Sequence, residues 1–184
     1  MLSFRSSMCR ALYEHWLGLP KPPGAYLPLK NSLDPTAIPR LLPRLILHDL
    51  RQPGRSIMRL VGTGMVEQFG FDPTGHDYMR YVAPERRESA LGALLRVAGQ
   101  PCGMRVVIEH VHASGKSLVS ESAGFPFEAE DGSGRFLLFL DDSLGRPTYE
   151  DPREKPLEIL KVLEREYIDL GAGVPPLPPE PPSA

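Results

Sequence analysis

The stretch from Leu42 to Leu50 restricts the fold more than any other. Its apolar residues occupy both alternation sets, with Leu45 and Leu47 on one and Ile46, His48 and Leu50 on the other. A strand with that pattern has to be covered on both faces, so the chain needs material above and below a sheet. The elements that follow come in a segregated order. Ser56 to Val61 reads as a second strand after a Pro53-Gly54 turn, and Met65 to Phe69 as a short helix stopped by Gly70 in the left-handed C′ position. Asp72-Pro73-Thr74-Gly75 is a type I turn by its residues, with a further short helix from His76 to Tyr81. Pro84 to Ala98 is the clearest helix: Pro84 suits the first turn, Glu85 and Glu88 lie near the positive end, and Leu91, Leu94, Leu95 and Ala98 form a stripe. Met104 to Ala113, Ser117 to Phe127 and Arg135 to Asp141 then read as an antiparallel meander. Two strands, a run of helices and three strands imply an α+β fold rather than alternating βαβ units.

Proline marks the borders of this core. Six of the 21 prolines lie between Pro20 and Pro39 and six between Pro175 and Pro182, where they deny a regular helix or a central strand. The expected organisation is an N-terminal helix and proline-rich connector over 1–39, a folded core over 40–145, a C-terminal helix over 146–171 and a disordered proline-rich tail over 172–184. The leading helix rests on Phe4, Met8, Ala11, Leu12 and His15 at helical spacing. The C-terminal one rests on Leu160, Leu163, Tyr167 and Leu170 at 3-4-3 spacing.

Charge and cysteine usage exclude several functions. A formal net charge of −2 with scattered arginines carries no electrostatic footprint for nucleic acid. Arg40, Arg44, Arg51, Arg55 and Arg59 read as a solvated rim. The leader MLSFRSSMCRALYEHWLGL has no uninterrupted apolar core of a signal peptide, and no stretch is long and apolar enough for a membrane span. Two isolated cysteines, Cys9 and Cys102, fit a reducing cytoplasm and form no metal motif. Gly62-Thr63-Gly64 opens like a dinucleotide fingerprint, but position 67 is Glu67 and a turn follows where a parallel strand is needed. There is no GxSxG, no HExxH and no Ser/His/Asp order, so no catalytic residue is expected. Asp141-Asp142 reads as a solvated strand end, and His110 with His112 as a polar pair on an exposed face.

From Arg59 to Gly75, RLVGTGMVEQFGFDPTG resembles the PAS domain superfamily, and within it a bacterial family of short stand-alone PAS proteins. Trp16, Asp34-Pro35, Leu42-Pro43, Arg59 with Gly62-Thr63, Phe69-Gly70, Gly75 and Phe125-Pro126-Phe127 extend the match. The resemblance implies a five-stranded antiparallel sheet of order 2-1-5-4-3, with short helices on one face and flanking terminal helices. The doubly apolar first strand would be central. That order separates His48 from His110 by three strand spacings, roughly 14 Å, too far to share a metal, and none is expected. Haem is disfavoured because the long helix holds no histidine. Flavin photochemistry is disfavoured because neither cysteine lies in an Asn-Cys-Arg motif.

The resemblance implies a cytoplasmic sensory or regulatory module of bacterial signal transduction, binding a protein partner and with no room for an output domain. No cofactor is expected, and the module acts with or without an unidentified small ligand in an apolar pocket. Met65, Phe69, Tyr78, Leu91, Leu94 and Leu95 would reach from the helices toward Leu60, Val107 and Leu138 on the sheet. A homodimer through Phe4, Met8, Leu12 and Trp16 of the leading helix is expected. The alternative is a small-ligand carrier or small-molecule enzyme using the same cavity.

Overall fold

Strand alternation and tight turns build one antiparallel sheet. In the computed structural model, which describes residues 3–111, 117–145 and 159–176, β1 (Leu45–Asp49) and β2 (Ile57–Val61) form the first hairpin. The meander consists of β3 (Cys102–Val111), β4 (Ser117–Glu128) and β5 (Arg135–Ser143). Because β1 also pairs with β5, it lies inside the sheet, and all five of its residues are buried. Helices α2 (Thr63–Phe69) and α3 (Arg87–Gly99) cover the inner face, and α1 (Ser7–Gly18) covers the outer face. The expected α+β fold and the 2-1-5-4-3 strand order are both present.

The C-terminal segment departs from expectation. Residues Ile159–Asp169 are a sixth strand, β6, paired antiparallel to β3 from Cys102↔Asp169 to Val111↔Ile159, which makes the order β2-β1-β5-β4-β3-β6. Over Ile159–Asp169 the helix expected within 146–171 is therefore corrected to an edge strand. The register shifts between Val107 and Ile108, whose partners are Glu164 and Val162. Leu163 is the extra residue of this bulge and stays exposed, while Tyr167 packs inward and Ile168 outward. The 3-4-3 spacing is therefore no single face: Leu163 is the bulge, Tyr167 lies on the inner side and Leu170, past the strand, packs on the outer cluster. His112, the Ser114-Gly115-Lys116 turn, Pro156 and the tail from residue 177 lie outside the described residues.

The Gly62-Thr63-Gly64 segment has a packing explanation. A Cβ at Gly62 would lie 2.1 Å from the Leu42 carbonyl oxygen and 2.5 Å from Pro43 backbone atoms, so only glycine permits the turn preceding α2 to meet the Leu42–Arg44 turn that leads into β1. Gly70, at φ +75°, ends α2 with its N–H on the Val66 and Glu67 carbonyls.

The outer face depends on charges taken out of water. Glu121 of β4 is 0% exposed and accepts from Arg5 N (3.1 Å), Ser6 N (2.7 Å) and Arg105 Nε (2.5 Å). Ser6 caps α1, accepting from the Met8 and Cys9 N–H groups, and donates its own proton to Asp142 at 2.7 Å. Arg105 continues to Glu164 of β6 at 3.1 Å, and Arg5 pairs with the same Glu164. The far end of α1 is fixed by the Trp16 indole, which donates to the Pro126 carbonyl at 3.0 Å.

Glu121→Ala is expected to lower the unfolding free energy by about 3–5 kcal/mol, because it leaves Arg105 and two amides without their buried acceptor. Urea denaturation of the variant measures the loss, and a loss below about 1 kcal/mol would show that α1 docks without this carboxylate.

Candidate functional site

Between the inner face and the helices lies a cavity of about 120 Å³. Met65, Gln68 and Phe69 of α2 form one wall and Ala90, Ala93 and Leu94 of α3 another, with Tyr78 and Tyr81 from the short 3-10 turn between them. The sheet contributes Ile46 and His48 from β1, Met104, Val106, Ile108 and His110 from β3, and Phe139 and Asp141 from β5. Ser122, Val162 and Arg165 complete the lining. Small residues make the space. Ala90 and Ala93 withhold volume on α3, and a Cβ at Gly124 would lie 2.3 Å from the Phe139 ring, so that ring stands over β4 only because position 124 is glycine.

One corner is polar. Asp141 Oδ2 accepts from Ser120 Oγ (2.8 Å) and Ser122 Oγ (2.5 Å), and His110 Nε2 lies 2.6 Å from Ser120 Oγ. Burial pushes the Asp141 carboxyl up, yet the neighbouring His110 and the two serine hydroxyls outweigh it and hold the group below the usual carboxylate range. The other atoms of this corner, Asp141 Oδ1 and His110 Nδ1, are buried with no hydrogen-bond partner among the described residues, and so are both amide atoms of Gln68. Asp141, His110 and Gln68 are 6%, 4% and 6% exposed.

His48 behaves differently. Its Nδ1 meets Ser56 Oγ at 2.9 Å, and its ring sits edge-on to Tyr78 and Phe139. Burial lowers its pKa to about 4, so the ring is neutral near pH 7. Burial likewise raises the Tyr78 hydroxyl, which stays protonated. Next to His48, Asp49 faces outward: burial alone would raise it, but hydrogen bonds from Arg51 and Arg59 bring it down to about 2. Those two arginines are structural partners of a buried carboxylate rather than a solvated rim.

Four of the expected pocket residues, Met65, Phe69, Tyr78 and Leu94, line the cavity. Leu60 does not: the register shift between Leu47 and His48 leaves Arg59 unpaired, so Met58 turns inward and Leu60 outward. Val107 and Leu138 belong to the opposite alternation set from the lining residues Val106 and Phe139, and Leu138 packs under α1. Leu91 is only partly buried and Leu95 is 42% exposed, because α3 presents Ala93, Leu94, Val97 and Ala98 to the core. His110 and Asp141, expected at exposed positions, are buried lining residues. Gln68, Ala90 and Ala93 carry no chemical signature that composition or motif would reveal.

Phe4, Leu12 and Trp16, expected between two copies, are buried against this chain's own sheet, and Met8 is partly buried there. Cys9 donates to the Glu121 carbonyl under α1, and burial raises the Cys102 thiol to about 11. Neither cysteine lines the cavity. Among the described residues, no three His, Cys, Asp or Glu side chains converge as a metal site, and no helix is long and apolar enough to cross a membrane.

A PAS domain family model matches residues 4–140. Among solved structures, the chain is similar to the Rhodobacter sphaeroides LOV protein, at 13% identity over 63% of this chain and 71% of that one, with a TM-score of 0.45. It is similar to the PAS domain of an HTR-like protein from Haloarcula marismortui, at 11% identity over 59% and 89%, with a TM-score of 0.44. The LOV domain of the blue-light photoreceptor Aureochrome1 is similar at 9% identity over 60% and 88%, with a TM-score of 0.44. No match is found among curated proteins.

The depressed His48 pKa sets a pH dependence. Between the ordinary value of 6.5 and about 4 the unfolded chain takes up a proton that the folded chain refuses, so stability falls as pH drops through that window. The full effect is about 3 kcal/mol. Urea denaturation between pH 7 and pH 4 is expected to show His48→Phe losing less stability than the wild type by about that amount; parallel losses would rule it out.

Proposed function

This chain belongs to the PAS domain family, and we propose that it works as a sensory and regulatory module of bacterial signal transduction, in which a small molecule in the cavity controls contact with a protein partner. The module acts in the cytoplasm, where buried, unpaired Cys9 and Cys102 suit a reducing environment. It senses its ligand and carries out no chemistry on it.

One observation carries this reading. The polar corner of the cavity and the anchor of α1 stand back to back on the same residues of two strands. On β4, Ser120 and Ser122 point into the cavity side toward Asp141, while Glu121 between them holds the Arg5 and Ser6 amides. On β5, Asp141 faces the cavity and Asp142 accepts from Ser6 Oγ. A ligand that shifts these strands by a fraction of an ångström displaces both acceptors that start the helix. The differential contact that population shift requires is thus available between the two faces.

Native mass spectrometry of protein purified from its source organism is expected to show a stoichiometric small molecule, and Ala93→Phe, which fills the cavity, is expected to lose it. Hydrogen exchange of residues 7–18 is expected to change by about tenfold between the ligand-bound and ligand-free chain, the size of a ~1.4 kcal/mol coupling. Identical exchange in the two forms would sink the proposed route to α1.

A further inference from the structure

The protons of the polar corner can be counted. Ser120 has one hydroxyl proton, and it goes to Asp141 Oδ2. The 2.6 Å contact between Ser120 Oγ and His110 Nε2 therefore needs its proton from the histidine, which makes Nε2 the protonated nitrogen. In the neutral ring Nδ1 then carries a lone pair. Asp141 Oδ2 is already served by two serines, while Oδ1 is not. The corner thus presents two buried acceptors, one of them on a carboxylate. Gln68 on the α2 wall offers one donor group and one acceptor and so selects for neither.

On the reading that the cavity is a ligand site, we infer that its occupant is a small ring compound with an amine or amidine head group, which donates to Asp141 Oδ1 and His110 Nδ1 while its ring lies among Phe69, Tyr78, Leu94 and Phe139. The volume limits the ring. An apolar cavity of about 150 Å³ takes up benzene, and this one measures about 120 Å³, so it holds no more than one ring. A hydrocarbon would leave both acceptors dry, each at the cost of a buried unsatisfied group. An anion would meet the Asp141 charge in a medium of low dielectric. Arg165 also reaches the lining, and a carboxylate probe tests whether it decides the preference instead.

The test titrates the intact chain at about pH 7.5 with benzylamine, toluene and benzoate, read by calorimetry and by amide shifts of the lining residues. Benzylamine is expected to bind about tenfold or more tighter than toluene, the scale of a hydrogen bond to a charged group, and benzoate to bind weakest. In Asp141→Asn the advantage of benzylamine is expected to shrink to about twofold while toluene affinity stays unchanged. The comparison within the wild type stands even where that variant fails to fold. Benzoate binding as tightly as benzylamine, or benzylamine no better than toluene, would overturn the donor-bearing ligand and leave the cavity reading intact. Absence of binding by all three, with no shift at any lining amide, would overturn the cavity reading itself.

Discussion

A single carboxylate, Glu121, determines how the outer half of the molecule is put together. It is fully buried, and a buried charge is tolerated only when its hydrogen-bonding capacity is met. Arg105 meets part of it, and the amides of Arg5 and Ser6 meet the rest. Those two amides precede α1, so satisfying Glu121 fixes the point at which the helix begins. Arg105 in turn faces Glu164, so the same charge also fixes the face that β6 turns outward. Hydrophobic burial under α1 is non-directional; the charged contacts supply its register.

The inner face follows from that arrangement through the two-residue period of the strands. With Glu121 outward, Ser120 and Ser122 must face inward, and with Asp142 outward on Ser6, Asp141 must face inward. The sheet therefore carries two polar clusters on opposite faces, built from neighbouring residues. Such clusters cannot move independently, since every shift of the backbone at Glu121 is felt at Ser120 and Ser122. The proposed coupling between cavity and helix rests on this adjacency.

The fold was largely legible because its punctuation is local. Gly70, the Pro53-Gly54 turn, Pro84 and the doubly apolar β1 each act through a few residues, and the motif residues that carry the family resemblance meet in space: the Trp16 indole binds Pro126 within Phe125-Pro126-Phe127. The errors have a common cause in bulges and in runs that are apolar on both faces. The extra residue Arg59 sends Leu60 outward, and the apolar residues of β6 and its end, Leu163 at the bulge, Tyr167 inside and Leu170 outside, fall at helical spacing without sharing a face. Val106, Val107 and Ile108 are all apolar, so alternation assigns no phase to β3, and the same holds for Leu137 and Leu138 on β5. The polar corner was not legible for a different reason. Burial of His110 and Asp141 is decided by α2, α3 and β6, far away in sequence.

The cavity owes its shape to small residues and its polar corner to a few unmatched atoms. Asp141 Oδ1, His110 Nδ1 and both amide atoms of Gln68 have no hydrogen-bond partner among the described residues, and a buried polar atom left unmatched costs stability. Larger residues at Ala90, Ala93 or Gly124 would remove much of the void, and apolar residues at 68 and 110 would remove the unsatisfied atoms. A molecule that met those atoms would add its binding free energy to the stability of the folded chain, and so tie the proposed binding to the sheet that anchors α1.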